Sequence, residues 1–190
     1  MRTVTFDIET ADWISRPGWN PADLAIAVVA IHDSETDAYT SYFVEELPQL
    51  WKILEEVDVL VGYNSDHFDI PLLNKYYPGD LSRIRSVDLM KDIYAATGRR
   101  LRLDAVADGT LGERKIGDGA QSLAWWRAGE VEKVRAYCIK DVELTRKIFD
   151  HALKNGSVKY RELGQLREVK LDTSNWLAHG SPALTYTLGF

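Results

Sequence analysis

Residues 3–10 read Thr-Val-Thr-Phe-Asp-Ile-Glu-Thr, four residues that favour extended backbone leading into two acids two positions apart. In a strand, positions i and i+2 share a face, so Asp7 and Glu9 point to one side and Phe6 and Ile8 to the other. Two carboxylates on one strand face repel each other unless a cation lies between them or water screens them. A central strand implies the cation, and a strand end fraying into solvent implies the screen. Both remain open from this stretch alone.

Working outward, residues 25–31 (AIAVVAI) and 38–44 (AYTSYFV) carry the same β-branched and aromatic signature, and their close spacing predicts an antiparallel three-strand meander. Leu50, Ile53, Leu54 and Val57 then recur at helical spacing, with Pro48 near the start, where proline is tolerated. The apolar run 59–61, ending in Gly62-Tyr63-Asn64, predicts a buried strand. A helix over 70–77 stops at Pro78-Gly79, and residues 86–90 predict a last short strand. The second half is helical: one helix carries Leu103, Val106, Ala107 and Leu111, and a second covers 120–128. A long third runs over 130–154 to Asn155-Gly156. Residues 157–172 alternate around Gly164 as a hairpin would, and an irregular tail follows. The pattern predicts an α/β fold, a mixed β-sheet flanked by helices, over residues 1–156, with the hairpin and tail of 157–190 packed on it or appended to it.

With 190 residues, 45% hydrophobic and 27% charged, the chain has the length of about one domain and the composition of a soluble globular protein. Cys138 is the single cysteine, which excludes an internal disulfide and suits a reducing, cytoplasmic compartment. No run approaches a membrane span and no signal peptide is read at the N-terminus, so a membrane partner is not expected. The net charge of −6 argues against coating nucleic acid through bulk electrostatics, yet clustered carboxylates that hold cations would themselves raise the acidic count.

Two further acids join the first pair. Asp69 follows the turn after the 59–61 strand and precedes a helix; a strand end in an α/β sheet is where ligands bind, and a helix cap explains the residue equally. On the long helix, Val134, Tyr137, Asp141, Leu144 and Ile148 form one stripe, in which Asp141 is the only charge. Either Asp141 sits at the exposed edge of that stripe, or it is buried and a cation or donor meets it. Tyr137, one turn away, shares its face. Oxygen-only ligands suit magnesium or manganese, and His32, His67, His151 and His179 are scattered without ligand spacing. Cys138 reads as an inert core thiol. Trp13, Trp19 and Trp176, in irregular segments, are the tryptophans best placed to stack on bases.

These segments, in this order, resemble the DEDD superfamily of 3′→5′ exonucleases, which have a ribonuclease H-like fold. FDIET is similar to the first exonuclease motif, residues 64–69 (NSDHFD) to the second and residues 137–141 (YCIKD) to the third. The Tyr-x-x-x-Asp spacing matches the tyrosine branch; the histidine branch would place its residue at 136, which is alanine here. LGERK, around Lys115, resembles a stretch of family-B DNA polymerase exonuclease domains. The resemblance covers roughly residues 1–155, and the hairpin and tail have no identified counterpart. It implies two divalent ions, Mg2+ or Mn2+. Asp7 would bridge them, Glu9 and Asp141 would hold the ion that activates water, and Asp69 would hold the second, with Tyr137 orienting the water. Backbone groups near Thr10, with Asn64 and Phe68, would hold the terminal nucleotide of a single-stranded 3′ end. Lys115 and the basic cluster Arg99, Arg100 and Arg102 either contact phosphates or form a solvated face.

Two other functions share these features: a structure-selective endonuclease on the same fold, and a non-catalytic nucleic-acid-binding module or polymerase partner. The expected substrate is nucleic acid, either DNA or RNA.

Overall fold

The computed structural model describes residues 1–13, 18–114 and 117–178. The strands β1 (Thr3–Thr10), β2 (Ile26–Asp33), β3 (Ala38–Tyr42), β4 (Val59–Gly62) and β5 (Arg85–Asp88) form one sheet in the order β3-β2-β1-β4-β5. The expected meander is present: β2 runs antiparallel to both β1 and β3. The parallel half begins at β1, which pairs with β4, and β4 with β5. The sheet is therefore mixed, flanked by helices, and of the ribonuclease H-like type expected.

One detail of register positions the site. Only Thr3, Val4 and Thr5 of β1 pair with Val59, Leu60 and Val61, and β4 ends at Gly62. The second half of β1 thus continues past the end of β4, and its edge must be satisfied by something other than a strand.

Each sheet face is covered by helices. Helices α1 (Leu47–Leu54) and α2 (Asp69–Asn74) pack with Phe6, Ile8, Val29 and Ile31 on one side. On the other, α6 (Val131–Asn155) lays Val134, Cys138 and Val142 against Ala27, Val28 and Ala30 of β2, where small residues admit the helix closely. β2 is buried along its whole length, as a strand covered on both faces should be. α6 ends where Gly156 adopts φ +61, a left-handed stop that a side chain would strain.

Helices α4 (Leu103–Leu111) and α5 (Gly119–Arg127) fall where the sequence places them. The hairpin is β6 (Ser157–Glu162) and β7 (Gln165–Lys170), turning at Leu163-Gly164, both with positive φ. It lies on α4 at Gly109, where an added Cβ would stand 2.4 Å from Tyr160 Cα. Thr110 Oγ1 donates to Lys159 O at 2.7 Å and accepts from Lys159 N at 2.8 Å. Val158, Tyr160 and Val169 share a core with Val61, Leu144 and Ile148.

Three expectations need correction. The helix expected over 70–77 is shorter, ending at Asn74. Helix α3 (Leu89–Thr97) was not anticipated, because residues 86–90 read as strand; Asp88 ends β5 and caps α3 in one step. Trp176 is not available to a base: it is buried, stacked on Phe149 at 5.4 Å, and its Nε1 donates to Asp92 at 2.6 Å. Among the described residues, no helix is long and apolar enough to cross a membrane.

Candidate active site

Three acids converge where β1 meets α6. Asp7, Glu9 and Asp141 each offer a carboxylate oxygen, and these atoms lie within 4.8 Å of one another. β1 supplies the first two from one face, as the i, i+2 spacing requires. α6 supplies the third: Val134, Tyr137, Asp141, Leu144 and Ile148 are all buried, and Asp141 is 2% exposed. The edge-of-stripe alternative for Asp141 is thereby removed. Asp7 and Glu9 are half-buried, so neither lies on a strand end frayed into solvent.

Asp69 arrives by a different device. It is the first residue of α2, whose capping residue is Phe68 and has no side-chain cap bond. Its Oδ1 instead accepts the Ile8 main-chain N–H at 3.1 Å, on the stretch of β1 that outruns β4. The helix-cap explanation is therefore wrong, and a carboxylate satisfies the strand edge where a neighbouring strand would otherwise pair. Burial pushes the Asp69 carboxyl well above the usual carboxylate range. The nearby charges of Asp7, Asp88 and Glu9 push the same way, and the Ile8 N–H opposes them. Asp69 stands beside the group of three rather than within its 4.8 Å spacing.

Cys138 packs under the cluster, its Sγ 3.3 Å from Asp7 O and 3.5 Å from Asp7 Oδ2. Burial raises its pKa well above normal, and the charges of Asp7, Glu9 and Asp141 add to the effect, so it stays a neutral thiol. That agrees with an inert core residue.

The four acids and Tyr137 line one cleft of ≈ 760 Å³, together with Thr10, Asn64 and Phe68. Tyr137 is buried against Trp125, edge to face at 6.2 Å. The Thr10 hydroxyl is turned to its own chain, donating to Asp12 O at 3.0 Å, beside a register shift between Glu9 and Thr10. Asn64 has φ +67, a left-handed conformation that asparagine tolerates. Lys115 lies outside the described residues. Of the basic cluster, Arg99 bridges to Glu162, Arg102 lines the cleft beside its partner Asp104, and Arg100 donates to Asn64 Oδ1 at 2.6 Å. Trp13, 68% exposed, and Arg127 also face the cleft.

The organising residue that sequence reasoning missed is Asp88. It is buried and accepts four main-chain N–H groups: Asn64 at 2.7 Å, Asp66 at 3.1 Å, Met90 at 3.0 Å and Lys91 at 3.3 Å. One side chain thus caps α3 and fastens the loop that carries Asn64 and Phe68 toward Asp69. Burial raises its pKa, and the N–H donors from Asn64, Asp66 and Lys91 pull it back. The signal was present as Asp88 ten residues before Gly98, the N-cap and the glycine stop of a nine-residue helix.

Comparison with known proteins agrees with this architecture. The family model of the RNase_H superfamily matches residues 4–153. No curated protein matches the sequence. Among solved structures, the chain is similar to the family B DNA polymerase from the hyperthermophilic archaeon Pyrobaculum calidifontis, with a TM-score of 0.64 and 22% identity. That match covers 80% of this chain but 24% of the polymerase, so the chain spans about a quarter of that protein's length. The likeness is one of fold. With a five-stranded mixed sheet in the order β3-β2-β1-β4-β5 and a family match over 150 consecutive residues, the chain belongs to the RNase H superfamily.

Proposed function

We propose that this protein is a 3′→5′ exonuclease of the tyrosine DEDD branch, hydrolysing phosphodiester bonds at the end of single-stranded nucleic acid with two divalent ions, Mg2+ or Mn2+. The observation that carries the proposal is the convergence of Asp7, Glu9 and Asp141 within 4.8 Å, in the cleft that Asp69 and Tyr137 also line. The donor set fits hard cations, since every ligand atom is a carboxylate oxygen. Asp7, Glu9 and Asp141 would hold one ion, and Asp7 with Asp69 the second. Bound there, the ions supply an activated water and neutralise charge on the leaving 3′-oxygen.

The remaining roles belong to the chain itself. Tyr137, held rigid by its burial and by Trp125, orients the attacking water. Phe68 and Asn64 hold the terminal nucleotide from the α2 side, and the backbone at Thr10 holds it from the β1 side.

A time course on 5′-labelled single-stranded DNA and RNA, with each metal in turn, tests the proposal. The expected product is a ladder that shortens from the 3′ end in magnesium or manganese and stays uncut in chelator. Asp7→Ala and Asp141→Ala should each lower the rate about 1000-fold, roughly 4 kcal/mol of lost transition-state stabilisation. Cleavage of a circular single strand would show an endonuclease instead. Full activity in chelator would refute metal dependence.

A further inference from the structure

The acid cleft has a neighbour across Asn64. A second groove of ≈ 290 Å³ lies between the 64–67 loop and α3, and Asn64 lines both. Trp13 and Tyr94 are the two aromatic residues with widely exposed rings among the described residues, at 68% and 52%. Trp13 faces the acid cleft, and Tyr94 faces the second groove. Exposed rings beside a polar groove are the arrangement on which bases stack.

The charges point the same way. Nearly every arginine among the described residues has a carboxylate within 4.0 Å; the exceptions are Arg85, Arg100 and Arg127. Arg85 is occupied by the carbonyls of Asn175 and Ala178. The other two line the two clefts, Arg127 the acid cleft and Arg100 the groove. Arg100 spends one N–H on the neutral amide of Asn64, which leaves other donors of its fork for a phosphate. The acids of the groove do not cancel that charge: Asp66 is paired with Lys91 at 2.6 Å, and Asp88 is enclosed by its four N–H donors.

We infer that this groove is a second nucleotide subsite on a continuous strand path. A nucleotide upstream of the terminal one stacks its base on Tyr94 and places its phosphate on Arg100, and the strand crosses Asn64 to reach the acids. The inference rests on the reading that the acid cleft takes the 3′ end. It adds that the substrate is a strand several nucleotides long rather than a dinucleotide.

The test is fluorescence anisotropy of the intact chain with 5′-labelled oligothymidylates of three and ten residues, in calcium. The wild type should bind the ten-mer at least about tenfold tighter than the three-mer. Tyr94→Ala should cut that ratio about five- to tenfold, the loss of one stacking platform, whereas Tyr94→Trp should preserve it. Arg100→Ala should make the negative slope of log affinity on log salt for the ten-mer shallower by about 0.7, one phosphate contact on a single strand. An unchanged length ratio in Tyr94→Ala, an unchanged salt slope in Arg100→Ala, or a wild type that gains nothing with length would overturn the subsite. Failure of the exonuclease reading looks different: both oligomers would bind with the predicted ratio, yet neither would shorten in magnesium or manganese.

Discussion

Replacing Asp88 tests how the site is held together. Asp88→Ala removes the cap of α3, worth about 1 kcal/mol. It also strands the Asn64 and Asp66 N–H groups, each bonded to a charged acceptor at about 1.5–3 kcal/mol. Both loop residues are half-buried, so water recovers part of that. The expected cost is about 3–5 kcal/mol, a drop of roughly 10 °C in midpoint for a chain of this length. Asp88→Asn separates the contributions. Oδ1 accepts from Asn64, Met90 and Lys91, and Oδ2 from Asp66 alone. An asparagine that keeps its oxygen at Oδ1 retains three acceptances and loses one, while relieving the burial of a charge, so its cost should be about 1 kcal/mol. Urea unfolding monitored by circular dichroism measures both variants. If Asp88→Ala costs under 1 kcal/mol, or if the two variants cost the same, the assignment of Asp88 as the fastening of the loop is wrong.

Manganese at 100 times its dissociation constant should stabilise the chain by about 2.7 kcal/mol, roughly 5–10 °C in a thermal melt, and Asp7→Ala should abolish the shift. Gly109→Ala should destabilise by about 2 kcal/mol or more, since the new methyl meets the backbone of β6 rather than a movable side chain; a urea titration reads it. Arg2 holds Asp33 through two bonds at 3.0 and 2.7 Å and depresses its pKa. That contribution is complete above the unfolded carboxyl value of about 3.9 and is lost as pH falls through the lower folded value. Arg2→Ala should therefore cost about 3 kcal/mol at pH 7, with the gap to wild type narrowing below about pH 4 in pH-dependent unfolding.

Local periodicity made much of the site legible. The i, i+2 pair put Asp7 and Glu9 on one face, and the stripe on α6 marked Asp141 as the charge needing a partner; both follow from the geometry of one element. Asp69 was ambiguous because its acceptance of the Ile8 N–H spans 61 residues, which no local pattern encodes. Helix α3 was lost because Asp88 serves a strand and a helix at once, so the strand reading absorbed the cap. Arg99 and Arg100 are neighbours in sequence, yet one is tied to the hairpin and the other faces a groove. Only packing separates them. Trp176 looked free for the same reason: its irregular segment gives no sign of the Phe149 and Asp92 contacts that bury it.

The short overlap between β1 and β4 also bears on the order in which the molecule forms. The β1–β2–β3 meander joins near neighbours in the chain, whereas the β1–β4 pairing closes a loop of more than 50 residues and the meeting of Asp7 with Asp141 closes one of 134. Local pairings are cheaper in loop entropy, so the meander belongs to the early steps and the carboxylates meet late. Their mutual repulsion is then absent from the folding barrier and weighs only on the finished state. A divalent ion should accordingly leave the folding rate nearly unchanged and slow unfolding, acting as a latch rather than a nucleus.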